Sequence, residues 1–242
     1  MICNQFALRG EISMTASSAP LSPGGHFRGP HLGVVALAFV TLFVGGLFPV
    51  TAFGGLPYFP GPTATVGEMV AFFSQRQHAV LLCAFLQFGS VIPLGIFTAT
   101  VMSQLRFLGV RAAGTYIALF GGLLTATNIM ICSCFLWATI YPGVPQDAAL
   151  TQALYRISFG LGGPGFSVPF GIFLAGVSVT AGFYRLLPRW MVVAGIVIAV
   201  VGELSWFEML NIRLLPLIPL TRFPGYLWMI AAGFLLPRRR KS

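Results

Sequence analysis

The hydrophobic positions of this 242-residue chain fall into long unbroken runs, separated by short polar segments. The first run covers residues 32–53, and the second and third cover 78–103 and 112–140. The fourth covers 155–184 and the fifth 190–210. The sixth covers 224–236, with an earlier start near Leu217 as the alternative. All but the sixth approach or exceed the roughly 20 residues that cross a hydrocarbon core. Backbone amides in lipid must be satisfied within their own segment, so each run predicts a helix. The first is too long for a signal-peptide core and no clear cleavage site follows it, so it reads as an uncleaved span. One segment breaks the pattern. Over 65–77, apolar Val66, Met69, Val70 and Phe73 oppose Glu68, Gln75 and Arg76. That spacing predicts an amphipathic helix lying on the membrane surface.

Composition agrees: 57% of residues are hydrophobic and 8% charged, against about 25% charged in soluble domains. The fold class predicted is therefore all-α, a six-helix transmembrane bundle over 32–237. A disordered cytoplasmic tail over 1–31 precedes it, with Met14 as a second candidate start, and a basic tail over 238–242 follows. The net charge of +9 is explained by topology. With both termini in the cytoplasm, only Arg76, Arg156, Arg213 and Arg222 fall outside among the basic residues. Glu68, Asp147, Glu203 and Glu208 fall outside with them, so the inner side carries the whole excess. Its expected partner is a bilayer with anionic lipid at the cytoplasmic face, and nucleic acid is not expected. Oligomeric state stays open. Tyr58, Trp137, Tyr141, Tyr155 and Tyr226 read as an outer aromatic belt, and Tyr116, Tyr184 and Trp190 as an inner one.

Two hairpins resemble each other. Pro93, Gly95, Ile96, Phe97 and Ala99 of the second span recur as Pro169, Gly171, Ile172, Phe173 and Ala175 of the fourth. Gly114, Ala118 and Gly121 of the third recur as Gly195, Ala199 and Gly202 of the fifth. This suggests a parallel repeat of helices 2–3 and 4–5 about an axis along the membrane normal. Small residues four apart share a helix face and let backbones approach. The expected packing residues are Gly95, Ala99, Gly171, Ala175, Gly114 and Gly195, with the first and sixth helices outside a four-helix core.

Glu203 is the sharpest chemical feature. It lies 13 residues past Trp190, roughly 20 Å along the helix. A carboxylate there is costly unless protonated, paired or facing water. Two readings stay open: a proton-, cation- or ligand-binding group, or an ion pair with Arg156 or Arg222. Trp206 shares its face, and its counterpart in the other hairpin is Gly122. Glu208 reads as a solvated helix-end residue. The cluster Gly160, Gly162, Gly163, Pro164 and Gly165 should break the fourth helix near Arg156, and broken membrane helices often line sites. Gln87 and Asn128 are polar at similar depth, as interhelical hydrogen-bond partners or as further pocket lining. The candidate ligand-binding set is therefore Glu203, Arg156, Trp206, Asn128, Gln87 and Arg222, in one outward-opening polar pocket.

No nucleophile–base set or metal-ligand spacing is present, so no catalytic residue, metal or cofactor is expected. Cys83 and Cys134 should lie at similar depths on neighbouring helices, as small core residues or as a redox pair. Transport or small-ligand binding is the leading expectation, and a structural or accessory subunit of a membrane complex is the alternative. The stretches Pro219–Trp228 and Gly233–Arg238 resemble small bacterial integral membrane proteins of unknown function. The likeness extends to 158–169 and 186–190. It implies a bacterial cytoplasmic (inner) membrane location and nothing about substrate.

Overall fold

The computed structural model describes residues 25–51 and 54–239. Among them the chain is all-helical, with only an isolated bridge between His26 and Arg239. The helices are α1 (Leu32–Leu47), α2 (Val66–Gln75), α3 (Gln77–Phe107), α4 (Ala113–Ala138), α5 (Ala148–Gly162), α6 (Pro164–Phe183), α7 (Arg189–Leu204) and α8 (Leu217–Leu235). Short 3-10 turns extend α1 over Phe48–Val50 and α7 over Ser205–Met209. Six stretches are long and apolar enough to cross a membrane: Leu32–Val50, Gln77–Phe107, Ala113–Ala138, Ala148–Phe183, Arg189–Met209 and Ile212–Leu235. The protein is thus a multi-pass membrane protein, and the sixth span takes the earlier of its two expected starts. Phe53, the expected end of the first run, and residues 1–24, Arg240 and Lys241 lie outside the described residues.

The spans close a ring. α1 packs on α3, α3 on α4, α4 on α6, α6 on α7, α7 on α8, and α8 returns to α1. In the most apolar 18-residue stretch of each span, 67% of the residues are buried in the fourth, against 28% in the fifth and 33% in the first and last. The expected four-helix core is therefore corrected: α6 alone is central, and α7 is as peripheral as α1 and α8.

Glycine explains this arrangement. A Cβ on Gly121 would sit 2.5 Å from the Phe173 nitrogen and 2.6 Å from the Pro169 oxygen. On Gly114 it would meet Thr180 Oγ1 at 2.1 Å, and on Gly195 it would meet Ser178 Oγ at 2.0 Å. The small-residue stripes of α4 and α7 thus clamp α6 from two sides. Gly171 answers from α6, where a Cβ would lie 2.9 Å from the Ala199 oxygen, and Ala175 is half-buried beside it. Two expected packing residues do not take part. Gly95 has open space where a Cβ would go, and Ala99 is exposed. The same motif faces protein on α6 and the surroundings on α3, because α3 packs on α1 and α4 and no described helix covers the face that carries Gly95.

Both hairpin turns use one device. Val110 N–H reaches back to the Leu105 carbonyl at 3.0 Å, and Leu186 N–H to Ala181 at 2.8 Å. Each cap needs a left-handed residue. Gly109 supplies it with φ 89°, and Arg185 with φ 51°.

The chain ends meet at one end of the bundle. Phe27 N–H donates to the Arg238 carbonyl at 2.8 Å, and the Arg238 guanidinium donates to Gly29 O at 2.7 Å. Gln104 of α3 donates to Leu236 O and Pro237 O. Residues 25–31 of the expected tail are therefore seated on the bundle.

At the other end, α2 begins with a capping box. The Thr65 backbone N–H and hydroxyl donate to Glu68, at 2.7 and 2.9 Å, and hold its carboxyl below the usual range. The amphipathic helix is present, and much of its apolar face is turned into the protein. Met69, Phe72 and Phe73 are fully buried against Tyr155, Phe59 and Val80. Tyr155 donates to Pro60 O at 2.6 Å. Tyr155 and Tyr226 are thus core residues, while the other expected belt aromatics are exposed.

Candidate functional site

The site begins with a helix that cannot continue. Pro164 has no N–H for the Gly160 carbonyl, so α5 ends at Gly162. Gly163 N–H closes α5 on the Phe159 carbonyl at 2.7 Å. The Gly163 carbonyl then accepts from Phe166 and Ser167 and starts α6. The Gly162 carbonyl, which Phe166 N–H would otherwise reach, is left free. Pro169 frees the Gly165 carbonyl in the same way. Two side chains from other helices take these acceptors: the Arg222 guanidinium of α8 donates to Gly162 O, and the Asn128 amide of α4 donates to Gly165 O. The break expected from the glycine cluster is present, and its orphaned carbonyls recruit two of the six candidate residues.

Beside the break lies a cavity of about 250 Å³. Phe43 and Leu47 of α1, Cys83 and Gln87 of α3, and Ile129, Cys132 and Leu136 of α4 form much of its wall. The break contributes Ser158, Phe159, Gly162, Gly163 and Phe166, and α8 contributes Ile218 and Arg222. Val50, Thr51 and Phe59 line it from the segment after α1, which Arg76 holds through hydrogen bonds to Pro49 O and Gly54 O. The lining is overwhelmingly apolar. A cavity of about 150 Å³ lined by apolar side chains accepts benzene, so this one has room for a substituted ring.

Its polar groups are few and underused. Gln87 is 6% exposed, and its side-chain amide has no hydrogen-bond partner among the described residues. Arg222 lies over the rings of Phe166 and Phe43, 4.7 and 5.4 Å from the centroids. Its Nε is buried with no acceptor. Cys132 Sγ donates to the Ser158 carbonyl at 3.2 Å, and Ser158 Oγ donates back to the Cys132 carbonyl at 3.3 Å, which stitches α4 to α5.

The six candidates do not share one pocket. Gln87 and Arg222 line the cavity, and Asn128 caps the break one helical turn from Cys132. Glu203 lies at the α6–α7 contact, with Oε1 buried and unpartnered near Gly171. Arg156 is exposed, and Trp206 is half exposed with its ring 4.4 Å from Phe207. Neither Arg156 nor Arg222 forms an ion pair with Glu203. The single polar pocket expected from the sequence is replaced by an apolar cavity with a polar edge. Glu208 is buried rather than solvated. Cys134 is exposed, and it is Cys132 that shares the cavity with Cys83. Two cavity residues were readable as a pair, since Cys83 and Gln87 stand four apart on one helix face. Nothing local marks Phe43, Ser158 or Phe166. No cluster of three or more His, Cys, Asp or Glu side chains suited to a metal forms among the described residues. No protein-family model, curated protein or solved structure matches the chain.

Proposed function

We infer that this is a small-ligand-binding protein of a bacterial cytoplasmic membrane, with transport of that ligand as the activity it serves. The observation that carries the reading is the cavity of about 250 Å³, apolar except where Gln87 and Arg222 present unused hydrogen-bonding capacity. A packed interior leaves few voids larger than a water molecule, so a space of this size beside a broken helix is a binding site by default. The sharpest test uses a neutral apolar probe, toluene, in detergent. It should raise the melting temperature of the wild type and not that of Ile129→Trp, which fills the space. An equal rise in both would refute the reading.

The orientation we infer places both termini in the cytoplasm and the cavity toward the outer face. Its support is the gathering of Arg28, Arg106, Arg111, Arg185, Arg189, Arg238 and Arg239 toward the end where the chain termini meet, beside anionic lipid. Single cysteines introduced by Gln146→Cys and Arg185→Cys, with Cys134→Ser as background, report on this. An impermeant maleimide added outside intact cells should label the first and spare the second; the opposite pattern overturns the orientation. The parallel repeat of the α3–α4 and α6–α7 hairpins draws support from their matching C-caps.

A second reading, an accessory subunit, is favoured by one observation. The α3 surface around Gly89, Gly95 and Ala99 repeats the motif by which α6 packs, yet has no helix on it. A second copy or a partner's helix would fit there, and loss of complex mass in Gly95→Leu would separate this reading from the first.

A further inference from the structure

We propose that the ligand of this cavity is a small hydrophobic carboxylate, a ring-sized apolar body bearing one anionic group. The proposal rests on the reading of the cavity as a binding site and names the chemistry that fits it. Arg222 is the reason. It is half-buried in a membrane-spanning helix, and no carboxylate stands within ion-pair range of it among the described residues. A charge withdrawn from water is costly unless it is paired. Two ring faces and one backbone carbonyl answer part of that need. They engage the guanidinium and one Nη, while Nε is buried without an acceptor and the other Nη makes no hydrogen bond among the described residues. A guanidinium N–H without an acceptor is the charge-assisted donor that a carboxylate oxygen takes.

Gln87 supplies an independent second point. Gln87 is 6% exposed and lines the same cavity, and its amide has no partner among the described residues, so it can donate to the anion or hold a polar substituent. The acids among the described residues stand elsewhere. Glu203 and Glu208 belong to α7 and its extension, while Glu68 and Asp147 cap α2 and α5 at the surface. None of them lines the cavity, so an anion meets no like charge there and a cation meets Arg222. The volume sets the size. At about 250 Å³ there is space for more than a benzene and for less than a two-chain phospholipid.

The experiment compares three probes of one shape at pH 7.5: 4-methylbenzoate, 4-methylbenzamide and 4-methylbenzylamine. Dissociation constants are measured by titration calorimetry on the full chain in detergent, with empty micelles as the blank. The expected order is benzoate at least tenfold tighter than amide, with the amine weakest. Arg222→Gln removes the charge and keeps a hydrogen-bonding side chain at that position. In that variant the benzoate and amide should bind alike. Gln87→Leu should weaken the benzoate several-fold while leaving its preference over the amine. Binding of amide equal to or tighter than benzoate in the wild type would overturn the carboxylate class and leave the cavity reading standing. So would a benzoate preference that survives Arg222→Gln. If none of the three binds saturably, the cavity reading itself falls, and this proposal with it.

Discussion

Gly121→Leu is expected to destabilise the bundle by about 3 kcal/mol or more, at the upper end of overpacking costs. The new side chain would begin 2.5 Å from a backbone nitrogen and 2.6 Å from a backbone oxygen of α6. Neither atom yields as a flexible side-chain tip would, so relief requires parting α4 from α6. That contact holds the most buried helix in place. Gly95→Leu is the control, since a Cβ at Gly95 meets nothing within 4 Å. It should change the stability of the isolated chain by less than about 0.5 kcal/mol. Thermal unfolding in detergent followed by size-exclusion chromatography separates the two. Equal losses would mean that α3 and α6 have similar surroundings, contrary to the ring described above.

The second large effect concerns the kinked helix. Asn128→Leu should cost about 1–3 kcal/mol, because it strands the Gly165 carbonyl inside the bundle. Pro169→Ala restores the N–H that this carbonyl lacks. In that background Asn128→Leu should cost less than about 1 kcal/mol, giving a coupling energy of about 1 kcal/mol or more in a double-mutant cycle. Strict additivity would show that Asn128 stabilises the protein by some route other than capping the proline break. The pair is informative because proline and asparagine lie on different helices and their link is one carbonyl oxygen.

Much of the architecture is legible in the chain, and the reason is physical. A span is written as length and apolarity, and a break as glycine and proline, so six spans and the interruption at Gly163 follow from residue types alone. What stays illegible is azimuth. Lipid and protein interior are equally apolar, so a lipid-facing Ile92 and a buried Leu94 carry the same hydropathic signal. The motif shared by Gly95–Ala99 and Gly171–Ala175 makes this concrete: one copy is open to the surroundings and the other is clamped. The amphipathic helix α2 poses the same problem. Its apolar face is written plainly, but whether Phe72 and Phe73 meet lipid or Tyr155 is decided by partners far away in the chain.

The site was partly readable for the same reason. Depth can be counted along a helix, so Gln87, Asn128 and Arg222 stand out as polar groups within spans. Their grouping cannot be counted. Glu203 is at a depth that suggests a site, yet it faces α6 near Gly171, on the far side of that helix from Asn128 and the break. Cys132 and Cys134 are two residues, hence about 200°, apart, which is enough to put one thiol in the cavity and the other outside. By depth alone, Arg222 is a candidate partner for Glu203. Instead it serves the backbone of α5, a role no spacing rule displays, because the carbonyl it caps is freed by phenylalanine 166 turning to another acceptor.

The closure of the ring has a consequence for how the protein is made. Of the six described spans α1 leaves the ribosome first and α8 last, yet each is the other's neighbour, and the clasp between Phe27 and Arg238 joins residues 211 positions apart. The contacts of α1 with α3 can form early, but its second flank waits for the final helix. Until then the cavity lacks the wall that carries Arg222, and the carbonyl of Gly162 has no donor. Assembly therefore ends in a single late docking step of high sequence separation, the kind of contact that slows folding. A nascent chain stalled before that step would present its most polar backbone, the α5–α6 break, directly to the bilayer.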